Sequence, residues 1–287
     1  MRKLKELTPW EIGTIQNRVF HLRESGMSYS KIRETIMTEF NVSVSKATVL
    51  RWCKGTHNTF NKTKRVNLKP SPELAYIVGV YLGDASVSET GNYQYRIRLK
   101  VVDRDFAQNF ERALRAMGAN PRTGFERNRG RADRWWVEVT NKELFMFLKG
   151  PKERLSKTAG TYPKEFLRGF FDSEGTVVFN RKSRTLYVSA SNYDLDVLTL
   201  CEELLKRLDI DSKIYLHRGK GTPVNIRGKM YQYNSDLYRI TIQRRRSVFN
   251  FYRAVGFSIQ RKQLKLKEAL ELLGMFKKEH QCADMAK

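Results

Sequence analysis

The sequence has little cysteine and no long apolar run. Its three cysteines, Cys53, Cys201 and Cys282, are odd in number, lie far apart and form no C-x-x-C pair. This pattern argues against a disulfide framework and a cysteine zinc site, and it predicts a reducing, cytoplasmic location. The longest apolar run, 74–82, is too short to cross a bilayer, and the basic first residues precede no apolar segment. We therefore expect no membrane span and no export signal.

Histidine and acidic residues are also scarce. The four histidines are scattered and form no H-x-x-x-H pair, which argues against a histidine-based metal site. Fifty-four Lys and Arg stand against 30 Asp and Glu, which gives a formal net charge of +24. The excess is spread along the chain and not gathered in a tail, so it predicts a folded basic surface whose partner is a polyanion.

Residues 1–60 carry apolar positions at helical spacing, which predicts a small helical bundle. Residues 25–28 are predicted to end one helix and cap the next, and 41–55 to continue as a turn and a third helix. This order resembles the helix-turn-helix of resolvase-like and transposase-like DNA-binding domains. The resemblance implies that exposed residues of the last helix enter a major groove; the candidates are Ser45, Lys46, Thr48 and Arg51. A three-helix bundle without a DNA role is the alternative.

From residue 73 the chain runs twice through one plan of helix, two strands, helix, two strands and helix. The segment 74–84 aligns with 165–174, and 105–118 aligns with 194–209. Such self-similarity indicates an internal duplication. We predict an α+β fold with two αββαββα halves related by a pseudo-twofold axis, preceded by the small all-α domain. The predicted limits are a basic linker at 61–72, halves at 73–160 and 161–275, and a polar tail at 276–287.

Small residues recur four apart in the first helix of each half. They are Gly79 and Gly83 in one helix and Gly169 and Ser173 in the other. Residues four apart share one face of a helix, so each pair leaves a shallow track along which another backbone can pack closely. Two such helices, packed at the pseudo-twofold axis, would set their C-terminal ends side by side.

Each of these helices ends in an acid, Asp84 or Glu174. A negative side chain at a helix C-terminus is disfavoured by roughly 0.3–1 kcal/mol, so an acid there in both halves predicts a nearby cation. Mg²⁺ is hard and oxygen-seeking, and it suits paired carboxylates. In two-metal phosphodiester hydrolysis the ions stabilise the attacking water and the leaving oxygen, so few other catalytic side chains are needed.

The segments 77–85 and 167–175 resemble the two LAGLIDADG motifs of a single-chain homing endonuclease. The resemblance implies a monomeric enzyme that cuts both strands of a specific double-stranded DNA site, with two or three divalent ions, Mg²⁺ above all. Asp84 and Glu174 would hold the ions, with Ala85 and Gly175 beside them. Gly175 is free to adopt a left-handed turn and Ala85 is not, so the two turns are expected to differ. Leu82 occupies the place of Asp172 in the first motif, which predicts a helix-surface or core-edge role for Asp172.

The resemblance also implies basic residues around the acids. Lys262 resembles the basic residue that begins the closing helix of the family. In the first half the corresponding residue is open between Lys100 and Lys157. Such residues would orient water and neutralise charge in the transition state.

The strands predict a second basic feature. Tyr95, Ile97, Leu99 and Val101 alternate with basic residues at a period of two, which gives one apolar and one basic face. The resemblance implies that such faces form a saddle along the major groove. The predicted DNA contacts are Arg96, Arg98, Lys100, Arg134, Lys213, Tyr215, His217, Arg239, Gln243 and Arg245.

Two other functions remain open. One is a DNA-binding transcriptional regulator with a nuclease-like fold and no catalysis. The other is an RNA-splicing maturase that holds intron RNA on the same basic saddle. Because both acids are present, the sequence favours the endonuclease.

Overall fold

The computed structural model describes residues 1–55, 65–90, 94–226 and 228–276. The predicted linker residues 61–64 and tail residues 277–287 lie outside the described residues. The chain divides into two compact units, Met1–Lys64 and Arg65–Lys287. Within the described ranges, no helix is both long and apolar enough to span a bilayer.

The first unit is a three-helix bundle with one short strand pair. Its elements are β1 (Arg2–Lys3), a 3-10 turn (Leu4–Glu6), α1 (Pro9–Glu24), α2 (Tyr29–Phe40), β2 (Val42–Ser43) and α3 (Lys46–Cys53). The side chains of Thr8, Ser28 and Ser45 each accept a backbone N–H from the first turn of the helix that follows, which satisfies donors left open at a helix start. The apolar residues at helical spacing, such as Ile15, Ile32 and Trp52, form its core.

The second unit contains the duplicated plan. Its first half comprises α4 (Pro72–Leu82), β3 (Ser86–Thr90), β4 (Gln94–Val101), α5 (Arg104–Ala116), β5 (Arg122–Glu126), β6 (Arg134–Thr140), α6 (Lys142–Leu148) and α7 (Lys152–Thr161). Its second half comprises α8 (Pro163–Glu174), β7 (Gly175–Asn180), β8 (Thr185–Asn192), α9 (Leu195–Arg207), β9 (Lys213–Arg218), β10 (Pro223–Ile226), β11 (Lys229–Gln232), β12 (Leu237–Ile242), α10 (Arg245–Ala254) and α11 (Gln260–Leu272). The predicted α+β class and duplicated order are confirmed.

Each half forms an antiparallel four-stranded sheet with the same strand order. The orders are β3-β4-β6-β5 and β7-β8-β12-β9. The second half differs by one insertion, because the hairpin β10–β11 lies between β9 and β12 and pairs only with itself. The sequence analysis did not predict this hairpin.

The strands have the predicted two-faced pattern, with one exception. In β4 the side chains of Ile97 and Leu99 are buried, while the basic residues between them lie half-buried on the other face. The prediction that the alternation of β12 continues to Gln243 and Arg245 is wrong. The strand ends at Ile242, and Arg245 is the first residue of α10. The chain turns into a helix there because the apolar residues that follow recur at helical spacing and are buried.

Helices α4 and α8 pack directly on each other and join the two halves. A Cβ added at Gly79 would overlap the carbonyl oxygen of Phe166, and one added at Gly169 would overlap that of Tyr76. Further along, a Cβ at Gly83 would overlap Ser173. The small residues therefore permit backbone-to-backbone contact at Gly79 and Gly169 and a close approach at Gly83.

Candidate active site

The two acids lie at the adjacent ends of the packed helices. Asp84 follows Gly83, which ends α4, and Glu174 is the last residue of α8. A Cβ at Gly83 would lie 3.4 Å from Cγ of Glu174, so the end of the first helix passes directly beside the second acid. Asp84 keeps an exposed side and Glu174 is half-buried. The helix pair thus brings one carboxyl group from each half to one place.

The electrostatics of the pair favour a cation. Burial, and after it the negative charge of Asp84, raises the pKa of Glu174 from 4.5 to about 7 against the positive charge of Lys262. Burial also raises the pKa of Asp84, against the positive charges of Lys262 and Arg134. Two carboxyl groups that resist ionisation beside each other ionise readily once a divalent ion neutralises them.

Lys262 is placed beside the acids by its contact with α8. Its Nζ donates to the carbonyl oxygen of Asp172 at 2.6 Å and to that of Phe171 at 3.4 Å. These carbonyl groups lie in the last turn of the helix, and that of Phe171 also accepts the N–H of Gly175. Burial lowers the pKa of Lys262, and the charges of Asp172 and Asp84 oppose that shift. The ammonium group therefore occupies the end of the helix that carries Glu174.

The prediction that Asp172 lies on the helix surface or at the core edge is wrong. Its side chain is 1% exposed and accepts three hydrogen bonds. The donors are the N–H of Ser258 at 2.8 Å, the hydroxyl of Ser258 at 2.5 Å and the hydroxyl of Tyr76 at 3.0 Å. A buried carboxylate needs such partners. Asp172 thus joins α4, α8 and the segment that leads into α11, which carries Lys262.

The turns after the two acids differ from the prediction as well. Gly175 has φ −76° and ψ 143°, an extended conformation and not a left-handed one. Glycine is required there for space, because a Cβ would overlap the carbonyl oxygen of Phe171 and lie 2.9 Å from the ring of Phe257. Ala85 is buried and donates its N–H to Val80 at 2.9 Å, also without a left-handed conformation.

Among the cations of the first half, Arg134 is the one whose charge acts on Asp84, and the roles predicted for Lys100 or Lys157 stay predictions. Lys100 is paired with Glu126, with 2.6 Å between Nζ and Oε2. Lys157 is exposed on α7. The positive charge that lowers the pKa of Asp84 from the first half belongs to Arg134, which begins β6 opposite Glu126. The sequence predicted only a DNA contact for Arg134. Its position as the first residue of β6 could have indicated that it also lies near Asp84.

The outer face of the first sheet is less uniformly basic than β4 alone indicated. Glu138 on β6 lies 3.5 Å from Nη1 of Arg96 and 3.7 Å from Nε of Arg98. The alternation of β6 contains this acid, but its pairing with β4 depends on strand register. The basic residues of β4 are therefore paired with acids of β5 and β6.

The outer face of the second sheet carries its own polar network. Arg239 donates to Ser191 at 3.1 Å and lies 2.7 Å from Nε2 of His217, whose pKa is lowered by burial and then by Arg239 and Arg218. Tyr215 accepts from Thr241 at 3.4 Å, and Lys213 is exposed at the start of β9. Here the predicted residues of β9 and β12 do lie on one surface.

In the first unit, the predicted contact residues surround the start of α3. Lys46 and Arg51 are exposed. The hydroxyl of Ser45 accepts the N–H of Thr48 at 3.1 Å and lies 2.9 Å from its hydroxyl. Ser45 and Thr48 therefore build the helix start, and Lys46 and Arg51 carry its exposed charge.

The two carboxylates fit a metal ion whose remaining ligands are waters and substrate phosphates. Among the described residues, no cluster of three or more His, Cys, Asp or Glu side chains could hold an ion. Mg²⁺ commonly keeps several waters and takes one or two carboxylates together with substrate phosphates. Asp84 and Glu174 match that mode, with the backbone oxygens of Ala85 and Gly175 next to them in the chain.

Comparison with known proteins identifies the family. Residues 71–149 and 161–256 match the family model of the LAGLIDADG-like domain, so the chain belongs to the LAGLIDADG family. The uncharacterized protein MJ0398 of Methanocaldococcus jannaschii is 46% identical over 274 residues, which cover 94% of this chain and 98% of that protein. A second uncharacterized protein of that organism, MJ0314, is 33% identical over 170 residues, 54% of this chain and 62% of its own length.

Solved structures with a similar fold include the homing endonuclease I-DmoI in complex with DNA and Mn. Its TM-score is 0.45 at 17% identity, over 65% of this chain and 97% of that one. Full-length DUF199/WhiA from Thermatoga maritima has a TM-score of 0.46 at 15% identity, over 72% of this chain and 62% of that one.

The raised pKa of Glu174 predicts how the metal-free protein responds to pH. Folded Glu174 holds its proton up to about pH 7, whereas its ordinary pKa is 4.5. In that window the folded state binds more protons than the unfolded state, so the free energy of unfolding falls as the pH rises. We expect Glu174→Gln to melt at a higher temperature than the wild type in EDTA at about pH 8, and the difference to shrink towards about pH 5.

Adding Mg²⁺ at the higher pH should raise the melting temperature of the wild type and leave that of Glu174→Gln nearly unchanged, because a ligand of the folded state stabilises it. Glu165→Gln, at the other end of the same helix, is the matched control. A metal-free Glu174→Gln protein that melts at a lower temperature than the wild type at the higher pH would contradict the claim that the ionised carboxylate of Glu174 destabilises the folded state.

Proposed function

We propose that this protein is a divalent-metal-dependent endonuclease that cuts both strands of a specific double-stranded DNA site. The observation that carries the proposal is the meeting of Asp84 and Glu174 at the ends of α4 and α8, one from each half. Membership of the LAGLIDADG family and the net charge of +24 support a nucleic-acid substrate.

In this proposal the chain's residues divide the work by position. Asp84 and Glu174, with backbone oxygens of Ala85 and Gly175, would hold the divalent ions, whose positive charge would stabilise the attacking water and the leaving oxygen. Lys262, fixed on the last turn of α8, and Arg134, at the start of β6, face the negative charge that develops on the phosphate. The two halves would thus act on both DNA strands through one shared pair of acids.

The outer faces of the two sheets would hold the DNA. Arginine and glutamine read base edges in the major groove, while other cations contact phosphates. Arg96, Arg98 and Lys100 are paired with Glu138 and Glu126 in the free protein, so DNA binding would exchange one set of charge pairs for another. The first unit would add contacts through Lys46 and Arg51.

The proposal is tested by selection from a randomised DNA pool. Purified protein is incubated with the duplex pool and Mg²⁺, and the cut ends are captured and sequenced. We expect one long preferred sequence, cut on both strands, and no cut ends in EDTA. Retention of duplexes without any cleavage in Mg²⁺ or Mn²⁺ would contradict the proposal.

A second candidate is a DNA-binding regulator that does not cleave. The observation that favours it is the first unit, whose exposed Lys46 and Arg51 offer a DNA-binding surface that cleavage does not require. A regulator should bind its selected sequence equally well with EDTA or Mg²⁺ and leave both strands intact.

Lys262 provides a sharper test of the catalytic assignment. We expect Lys262→Met to lower the cleavage rate about 10²- to 10³-fold, the loss typical of a donor that stabilises a charged transition state. Binding of the same DNA in Ca²⁺ should change little. Lys265→Met, an exposed lysine of the same helix, is the control and should cleave like the wild type. Equal rates for the two variants would remove Lys262 from the site.

A further inference from the structure

The hairpin β10–β11 gives the second half a surface that the first half lacks. The first half joins β5 to β6 through the short loop 127–133, whereas the second half joins β9 to β12 through 219–236, which contains the hairpin. The insertion therefore breaks the pseudo-twofold symmetry at this connection.

Strand register places both connections at the end of the sheets where the acids lie. In the second half, β7 begins directly after Glu174, and its first residue pairs with Ala190. Two residues further along β8, Asn192 pairs with Tyr238 at the start of β12. In the first half, Val101 at the end of β4 pairs with Trp135, next to Arg134. The loop and the hairpin thus emerge on the same side as Asp84 and Glu174.

The loop and the hairpin face each other across a cleft of about 590 Å³. Strand pairing puts Ile226 opposite Lys229 and Val224 opposite Tyr231, so these side chains share one face of the hairpin. The residues that line the cleft are Arg131, Ala132, Arg134, Ile226, Lys229 and Tyr231. Three of the six are cations, the other three are not charged, and the lining contains no carboxylate.

The nearest acids along the chain are engaged elsewhere. Asp133 accepts the N–H of Asn128 at 2.9 Å, Glu126 pairs with Lys100, and Asp236 accepts the N–H of Lys220 at 2.7 Å. The lining of the cleft therefore carries net positive charge beside apolar and aromatic surface, although the charge of Arg134 also acts on Asp84 and Glu126. This combination suits the sugar–phosphate backbone of a nucleic acid, whose phosphates take the cations and whose sugars pack on apolar side chains.

We propose that this cleft binds the backbone of duplex DNA next to the acids, with the hairpin closing over it through Lys229 and Tyr231. The proposal rests on the proposed DNA substrate and adds a second-half contact that the pseudo-symmetry does not predict. Arg134 belongs both to the cleft and to the surroundings of Asp84, so a backbone held there is continuous with the site of cutting.

The hairpin is held by its own backbone, so its side chains can be changed without unfolding it. Gly221 donates to Tyr233 at 2.8 Å, Tyr233 donates to Thr222 at 3.1 Å, and Gly228 donates to the side chain of Asn225 at 2.9 Å. Lys229 and Arg131 are exposed. Their substitution tests binding and leaves the core untouched.

The test measures binding of a random-sequence duplex of about forty base pairs in EDTA, over a series of salt concentrations. We expect Arg131→Gln/Lys229→Gln to bind several-fold more weakly at about 0.15 M salt, with the slope of log K against log salt reduced by about 2, because each lost phosphate contact removes about 0.9. The matched control is Lys206→Gln/Lys267→Gln, which removes the same charge from α9 and α11.

A second measurement uses the wild type. Trypsin should cut after Lys229 in the free protein, and saturating duplex should suppress that cut while sparing the cut after Lys206. If the cleft variant matches the control variant in affinity and slope, or if duplex leaves the cut after Lys229 unchanged, the proposal is overturned. Stronger protection by a duplex RNA of equal length would overturn it in favour of RNA.

The assay separates this proposal from the proposed function. Because the assay contains EDTA, its outcome does not depend on cleavage. A protein that does not cleave but binds DNA in the cleft would show weaker binding by the cleft variant. A nuclease whose hairpin does not contact DNA would bind equally with either pair of substitutions. A protein that binds no duplex at all would overturn both.

Discussion

Replacing either acid by its amide, Asp84→Asn or Glu174→Gln, should abolish double-strand cleavage. We expect the rate to fall at least about 10³-fold, because the ions that these carboxylates hold supply several kcal/mol of charge stabilisation in the transition state. The negative charge of Asp84 raises the pKa of Glu174, so the two groups form one electrostatic unit. Each substitution should therefore slow the cutting of both strands.

The substrate is a supercoiled plasmid that carries the selected site. Cutting one strand gives a nicked product and cutting both gives a linear product, so the two activities are measured separately. Binding in EDTA should be kept or strengthened, because a negative charge near the phosphates is removed. Glu165→Gln, which changes an acid in the first turn of α8, should cleave like the wild type. Rapid nicking of one strand by one of the two variants would show that each acid serves its own strand independently.

The sequence predicted the features that depend on local pattern. The helical spacing of small residues and the acid at the end of each motif were visible in two copies, and the structure brings Gly79, Gly169 and both acids to one helix pair. The duplication supports such a prediction because the same motif, followed by the same order of strands and helix, occurs in both halves.

The features that were missed depend on partners distant in the chain. Asp172 is buried by Tyr76 and Ser258, and Lys100 is paired with Glu126 through strand register. The hairpin β10–β11 has no counterpart in the first half, so the internal alignment had nothing to place opposite it. Gln243 and Arg245 were misplaced because alternation alone does not show where a strand gives way to a helix.

Substituting alanine at Gly79 or Gly169 should destabilise the second unit. Alanine in a helix interior ordinarily stabilises by up to about 1 kcal/mol relative to glycine. Here the added Cβ would overlap a backbone carbonyl of the partner helix, Phe166 in one case and Tyr76 in the other, and backbone cannot move aside as a flexible side chain can. We expect a loss of about 3 kcal/mol in the free energy of unfolding, at the upper end of overpacking costs.

Urea unfolding of the metal-free protein measures this loss, and Gly160→Ala is the matched control. Gly160 also lies in a helix of the second unit, but its added Cβ would meet Nη1 of Arg207 at 3.6 Å, an ordinary contact. The control should therefore be neutral or slightly stabilising. Because Asp84 and Glu174 lie at the adjacent ends of this helix pair, any folded Gly169→Ala protein should also cleave more slowly. A Gly79→Ala protein as stable as the control would mean that α4 and α8 do not contact each other through their backbones. The placement of Asp84 beside Glu174, which depends on that contact, would then be wrong.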